Sequence, residues 1–93
     1  MRFYAVFDLA AETESAREQP RNVFIVEDQA DPVALVVLDH TAQRWVHNPA
    51  LIAFVAGDRA AECREITAAE AQELVGGWGA HLPSYDEVRA LAR

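Results

Sequence analysis

The stretch from residue 66 to residue 91, ITAAEAQELVGGWGAHLPSYDEVRAL, carries the clearest local signals for secondary structure in this chain. Thr67 followed by Glu70 is a capping box, in which the hydroxyl and the carboxylate each accept a hydrogen bond from a backbone N–H at the start of a helix. Ser84 followed by Glu87 repeats the pattern after a proline, which cannot continue a preceding helix. The stretch therefore predicts two short helices.

Apolar residues recur at helical spacing in both predicted helices. In the first helix they are Ala68, Ala71 and Val75, flanked by Leu74; in the second they are Tyr85, Val88, Leu91 and Ala92. We expect Gly76–Gly77 to end the first helix, because glycine adopts the left-handed C-cap conformation without a steric penalty. Helices shorter than about 12 residues are marginal alone in water. Both must therefore pack against the preceding part of the chain.

The preceding part of the chain is rich in strand-forming residues. Residues 2–9 (RFYAVFDL) alternate with apolar side chains on both faces, as in an interior strand. Residues 22–27 and 33–39 are the most β-like runs, and the polar turn between them predicts a hairpin. Residues 43–46 and 62–66 predict two further short strands.

Asn48-Pro49 places a capping side chain directly before the proline that is favoured at the first helical position. It predicts a deeply buried helix over residues 50–56 (ALIAFVA), which is apolar almost all round. Residues 10–19 favour helix by composition but lack an apolar stripe, which predicts an exposed loop or a frayed helix. Strands first and helices later predict a single α+β domain over residues 1–93. Its expected architecture is an antiparallel sheet of three to five strands, with the buried short helix and the two C-terminal helices packed on one face.

Fifteen acidic residues against eight arginines give a formal net charge of −7. This charge disfavours nucleic acid and anionic membranes as partners, because both carry dense negative charge. It favours a basic protein partner, although an acidic surface also simply keeps a small protein soluble. A chain of this length buries a modest core, which dimerisation would extend.

Cys63 is the single cysteine, so no intrachain disulfide can form, as is usual in a reducing cytosol. The first apolar run is too brief for a signal peptide, and no segment approaches the ~20 apolar residues of a membrane span. We therefore expect a cytoplasmic protein. The absence of lysine, together with many alanines, indicates a GC-rich coding sequence and hence a bacterial source.

The sequence contains no convincing catalytic constellation. Its histidines are His40, His47 and His81, and nucleophilic catalysis would require a hydroxyl or thiol within hydrogen-bond reach of one of them. Cys63 is the formal candidate, but in a strand a small buried thiol is the usual case. We assign no catalytic residue and favour a protein that is not an enzyme.

Metal and cofactor sites are equally unsupported by the sequence. Glu27, Asp28 and Asp31 cluster in one predicted turn, but they lack the spacing of a calcium loop, and a solvated hairpin tip explains them more simply. The glycines of residues 76–79 follow a helix, whereas phosphate-binding loops place them before one. We expect no metal and no cofactor.

The candidate binding residues are Arg44, Trp45, Trp78, His81 and Tyr85. Tryptophan and arginine are enriched at binding hot spots, although burial of both tryptophans in a small core is the preferred interpretation. The leading functional hypothesis is a non-enzymatic protein-binding module, such as an immunity protein, an antitoxin or a regulatory subunit. The alternative is a small-molecule-binding protein or simple enzyme acting as a dimer, and DNA binding ranks third because of the charge.

Overall fold

The computed structural model describes residues 1–29, 33–50 and 61–92 and arranges five strands in one antiparallel sheet. The strands are β1 (Arg2–Asp8), β2 (Pro20–Glu27), β3 (Ala34–Asp39), β4 (Arg44–His47) and β5 (Ala61–Ile66). The helices are α1 (Glu14–Glu18), α2 (Ala68–Gly77) and α3 (Tyr85–Leu91). The strand order is β4-β3-β2-β1-β5. The α+β architecture predicted from the sequence is confirmed.

Strand β1 lies inside the sheet, between β2 and β5, as its two apolar faces predict. The predicted hairpin is also confirmed, because β2 and β3 pair antiparallel with Phe24 opposite Val37. Strand β4 continues the meander, and β5 joins the far side of β1. The two strands that follow the hairpin in sequence therefore lie at opposite edges of the sheet.

The C-terminal helices cover one face of the sheet through two clusters of buried side chains. Helix α2 contributes Ala71 and Val75 to a cluster with Val23 and Leu38, and α3 packs Val88 against the neighbouring strand residues. The second cluster contains Ile25, Ala34, Val36, Val88 and Ala92. Burial of these apolar side chains stabilises helices that are too short to persist alone. The helical faces are narrower than the sequence predicts, because Ala68, Tyr85 and Leu91 are exposed.

The opposite face of the sheet carries a third apolar cluster. The buried members are Phe24, Val26 and Leu35, and the rings of Tyr4 and Phe24 stack with centroids 4.9 Å apart. Such cross-strand aromatic pairs stabilise neighbouring strands beyond the area they bury. Both faces of the central strands are thus apolar, which explains their lack of polar alternation.

Both capping boxes form as the sequence predicts, with Thr67 and Ser84 as the N-caps. The end of α2 differs from the prediction, because the helix continues through Gly77 and the left-handed residue is Gly79, with φ of 79°. Gly79 N–H donates to the Gly76 carbonyl at 3.1 Å, and Ala80 N–H donates to the Val75 carbonyl at 2.9 Å. These two bonds form a Schellman motif, which satisfies the last carbonyls only when the left-handed residue lies at this position.

The predicted helix over residues 50–56 lies outside the described residues, apart from its first residue. Just before it, the Asn48 side-chain oxygen accepts a hydrogen bond from the Ala50 N–H at 3.2 Å. Within residues 10–19, α1 forms with Thr13 as its N-cap and has no buried residue. None of the helices that the structure describes is long and apolar enough to cross a membrane.

Candidate binding groove

A groove of about 570 Å³ lies between the edge strand β4 and helix α3. Its lining residues are Arg44, Trp45, Pro83, Glu87, Ala90 and Leu91. Residues 87, 90 and 91 meet on one flank of α3 because side chains three and four positions apart share a helix face. Leu91 is 36 % exposed. The groove therefore presents a large apolar side chain to solvent beside an aromatic ring, as protein-binding surfaces do.

Trp45 is held in place at the groove by a hydrogen bond and by the core. Its indole Nε1–H donates to the His81 carbonyl oxygen at 2.7 Å. The half-buried ring also packs against both clusters beneath the C-terminal helices, as Leu82 does. Since a Trp N–H that loses water needs an acceptor, this bond fixes the orientation of the ring. The groove wall formed by Trp45 is therefore set before any ligand arrives.

Trp78 lies at a different place from the groove. Its ring meets the His40 imidazole edge-on, with centroids 4.9 Å apart and planes at 73°. His40 Nε2 lies 3.2 Å from the Arg21 carbonyl oxygen, which can only accept, so Nε2 carries the hydrogen of that bond. The sequence favours burial of both tryptophans, and the structure leaves each of them half-buried.

The five residues predicted as a binding site are only partly brought together. Arg44 and Trp45 line the groove, and His81 supports it through its backbone carbonyl. Trp78 and Tyr85 are not among the lining residues; Tyr85 lies beneath the Arg89 guanidinium, whose carbon is 5.5 Å from the ring centroid.

Four residues of the groove have no counterpart among the candidates from sequence: Pro83, Glu87, Ala90 and Leu91. The one available signal was the apolar face of α3, which assigned Leu91 to the core. A helix of this length buries only a narrow stripe, so a flanking leucine remains open to solvent.

Cys63 does not form a catalytic pair with His40 or His47. Cys63 lies on β5, whereas His40 follows β3 and His47 ends β4. Since β1 and β2 stand between β5 and β3, three inter-strand spacings of about 4.8 Å separate the thiol from the nearer imidazole. Burial, followed by the charge of Glu62, raises the pKa of the Cys63 thiol. A raised pKa leaves less thiolate at neutral pH, which makes this cysteine a poor nucleophile.

Two of the three clustered acids in the β2–β3 turn are engaged in ion pairs, and Asp31 lies outside the described residues. The Asp28 carboxylate pairs with Arg2 at 2.7 Å. Glu27 is buried, and its carboxylate accepts the Gln29 N–H at 2.9 Å and lies 3.4 Å from the Met1 amine. Across residues 1–29, 33–50 and 61–92, no group of three or more histidine, cysteine or acidic side chains could hold a metal ion.

A second cavity, of about 300 Å³, lies between α2 and the β1–β5 side of the sheet. Its walls include Ala5, Phe7, Ile66 and Leu74, and its remaining lining includes Glu70 and Glu73. The walls are mainly apolar and the lining includes two acidic side chains, a composition that suits a small cation with an apolar body. Its volume is at the lower limit of small-molecule sites.

No protein-family model, curated protein or solved structure matches the chain.

Proposed function

We propose that this protein is a protein-binding module that holds an extended segment of a basic partner in the groove between β4 and α3. The observation that supports the proposal is the exposed apolar lining of the groove, with Leu91 36 % exposed beside a fixed tryptophan. Hot spots of protein interfaces combine a rigid aromatic side chain with a desolvated apolar contact and an arginine nearby. Arg44 supplies the arginine at this groove, and its aliphatic stem extends the apolar wall.

The charge of the molecule indicates the character of the partner. With a net charge of −7, the chain attracts a cationic segment over a distance set by ionic strength. Asp86 and Glu87 lie in the first turn of α3, and Glu87 lines the groove. A partner segment could place an apolar side chain in the groove and a neighbouring basic residue against the acidic first turn of α3. Such an interaction weakens as salt rises, since the electrostatic part is screened.

Panning of a random peptide library on the immobilised protein tests the proposal. We expect enrichment of peptides that combine an apolar side chain with arginine or lysine, and weaker binding at high salt. Ala90→Arg should reduce peptide binding by at least about tenfold, because it places a bulky cation in the groove. The same substitution at the exposed Ala69 on α2 is the matched control and should leave binding unchanged.

Two results would contradict the proposal. If the peptides bind Ala90→Arg as tightly as they bind the unaltered chain, the binding surface lies elsewhere. Recovery of no peptide above background would reject an extended protein segment as the ligand. The second candidate function, binding of a small molecule, would then be favoured, and the cavity beneath α2 is the favoured site for it.

A further inference from the structure

Within residues 1–29, 33–50 and 61–92, strand β5 ends the sheet opposite the groove, and β1 is its neighbouring strand. Its sequence, AECREI, alternates charges around Cys63. Glu62 and Arg64 point to the same face of the strand and bond one another at 3.0 and 3.2 Å. Their side chains are 41 % and 60 % exposed. The edge therefore carries both signs of charge in a short, solvent-accessible run.

The backbone of β5 has groups directed away from the sheet. Successive residues of a strand direct their N–H and C=O groups to opposite neighbouring strands. The Asn48 N–H donates to the Leu35 carbonyl at 2.8 Å, so the backbone groups of Leu35 are directed toward β4. The neighbouring residue Val36 therefore directs its backbone groups toward β2. The same alternation along β2 and β1 makes Val36↔Ile25, Phe24↔Tyr4 and Ala5↔Arg64 the hydrogen-bonded pairs. Even-numbered residues of β5 then pair with β1, and Cys63 and Glu65 direct their backbone groups outward. A further strand could bond to these groups.

We propose that a second copy of this chain pairs with β5 in antiparallel fashion, with the two-fold axis passing through Cys63. For an axis normal to the sheet, each possible register places one residue opposite its own copy. Registers centred on Glu62, Arg64 or Glu65 put like charges directly opposite, which destabilises strand pairing. Registers centred on Ala61 or Ile66 pair only one residue of each β5 strand. The register centred on Cys63 instead puts Glu62 of each copy opposite Arg64 of the other.

This register gives the edge a self-complementary pattern. Two Glu–Arg pairs form across the interface on one face, and Cys63 opposes its own copy on the other face. The outward N–H and C=O groups of Cys63 bond to those of its copy, since this is a hydrogen-bonded position of the ladder. The two sheets then join into one continuous sheet, which removes an exposed edge that invites irregular association.

Charge exchange at these two positions tests the proposal by sedimentation velocity. The wild-type chain is expected to show a reversible dimer. Glu62→Arg and Arg64→Glu each create two like-charge pairs and should weaken the dimer by at least about tenfold. An equimolar mixture of these two variants should dimerise again, because each chain then meets the opposite charge on the other.

Glu65→Arg is the matched control, because it makes the same charge change on β5 but opposes an uncharged residue in this register. It should leave the dimer intact. Thermal unfolding followed by circular dichroism checks that each variant folds. A second readout is cross-linking by a short bis-maleimide, since Cα atoms of a hydrogen-bonded pair lie about 5.5 Å apart. Cross-linked dimer is expected from the wild-type chain and much less of it from Glu62→Arg.

A wild-type chain that sediments as a monomer throughout would overturn the proposal, as would a mixture that associates no better than its components. Either outcome is independent of the proposed peptide groove, which lies at the other edge of the sheet. Ala90→Arg should leave the dimer unchanged, and Glu62→Arg should leave peptide binding unchanged.

Discussion

Gly77 and Gly79 differ in the role that each backbone position plays at the end of α2. Gly77 is helical, and a Cβ added there would meet no atom within 4 Å. Gly79 has a φ of 79°, which disfavours any residue with a Cβ. The backbone conformation therefore requires glycine at Gly79 but not at Gly77.

Alanine substitution at these two positions should change stability in opposite directions. Gly77→Ala should raise the free energy of unfolding by roughly 0.5–1 kcal/mol, because alanine restricts the unfolded chain and suits a helix. Gly79→Ala should lower it by about 1–2 kcal/mol, the cost of a left-handed alanine. Urea unfolding of both variants measures the difference, and changes of the same sign would show that the helix does not end as described.

The elements that end the chain depend on their caps and on the sheet together. Thr67 Oγ1 accepts the Glu70 N–H at 3.1 Å, and Ser84 Oγ accepts the Glu87 N–H at 3.2 Å. Each helix also buries side chains against the sheet, so loss of a cap is transmitted to the global stability. Helix α1 has a similar cap at Thr13 but buries nothing.

Removal of each helix cap should show which helices contribute to the global stability: α2 and α3, which pack against the sheet, but not α1. Thr67→Ala and Ser84→Ala should each lower the free energy of unfolding by about 1 kcal/mol, and the double variant by about the sum. Thr13→Ala should leave it within about 0.5 kcal/mol of wild type, because α1 can open without disturbing the core. Denaturant titration compares the four variants with the wild-type chain. An equal loss at Thr13 would mean that α1 supports the core.

At the scale of the whole molecule, charge repulsion opposes folding. The net charge is −7, and the described side-chain ion pairs (Arg2–Asp28, Arg21–Asp8 and Arg64–Glu62) are largely exposed. Exposed pairs contribute at most about 1 kcal/mol each, whereas repulsion among the excess carboxylates acts over the whole surface. Screening should therefore relieve more repulsion than attraction.

The melting temperature should accordingly rise by about a few degrees between very low and physiological ionic strength, where the Debye length shortens to about 8 Å. Most of the increase should occur at low salt, since screening saturates. Differential scanning calorimetry in sodium chloride and in potassium chloride measures it, and the two salts should agree. A melting temperature that falls with salt would indicate that the ion pairs dominate instead.

The two C-terminal helices and the strands of the central hairpin follow from the local sequence. A capping box spans four residues, and strand alternation and helical spacing are set by neighbours along the chain, so both C-terminal helices and the β2–β3 hairpin could be predicted. The sequence pattern misplaces the end of α2, because glycines at residues 76, 77 and 79 carry the same local signal. The positive φ of Gly79 and the hydrogen bonds to the Gly76 and Val75 carbonyls identify which glycine turns the chain.

Only the tertiary structure decided the strand order and, with it, the candidate sites. Pairing of β5 with β1 joins segments distant in sequence, and no local pattern specifies which edge a strand takes. The groove likewise combines β4 with α3, and the Trp45 hydrogen bond to His81 crosses that same gap. Local chemistry fixes which residues form helices and strands, whereas the side chains that meet solvent together depend on the packing of the elements.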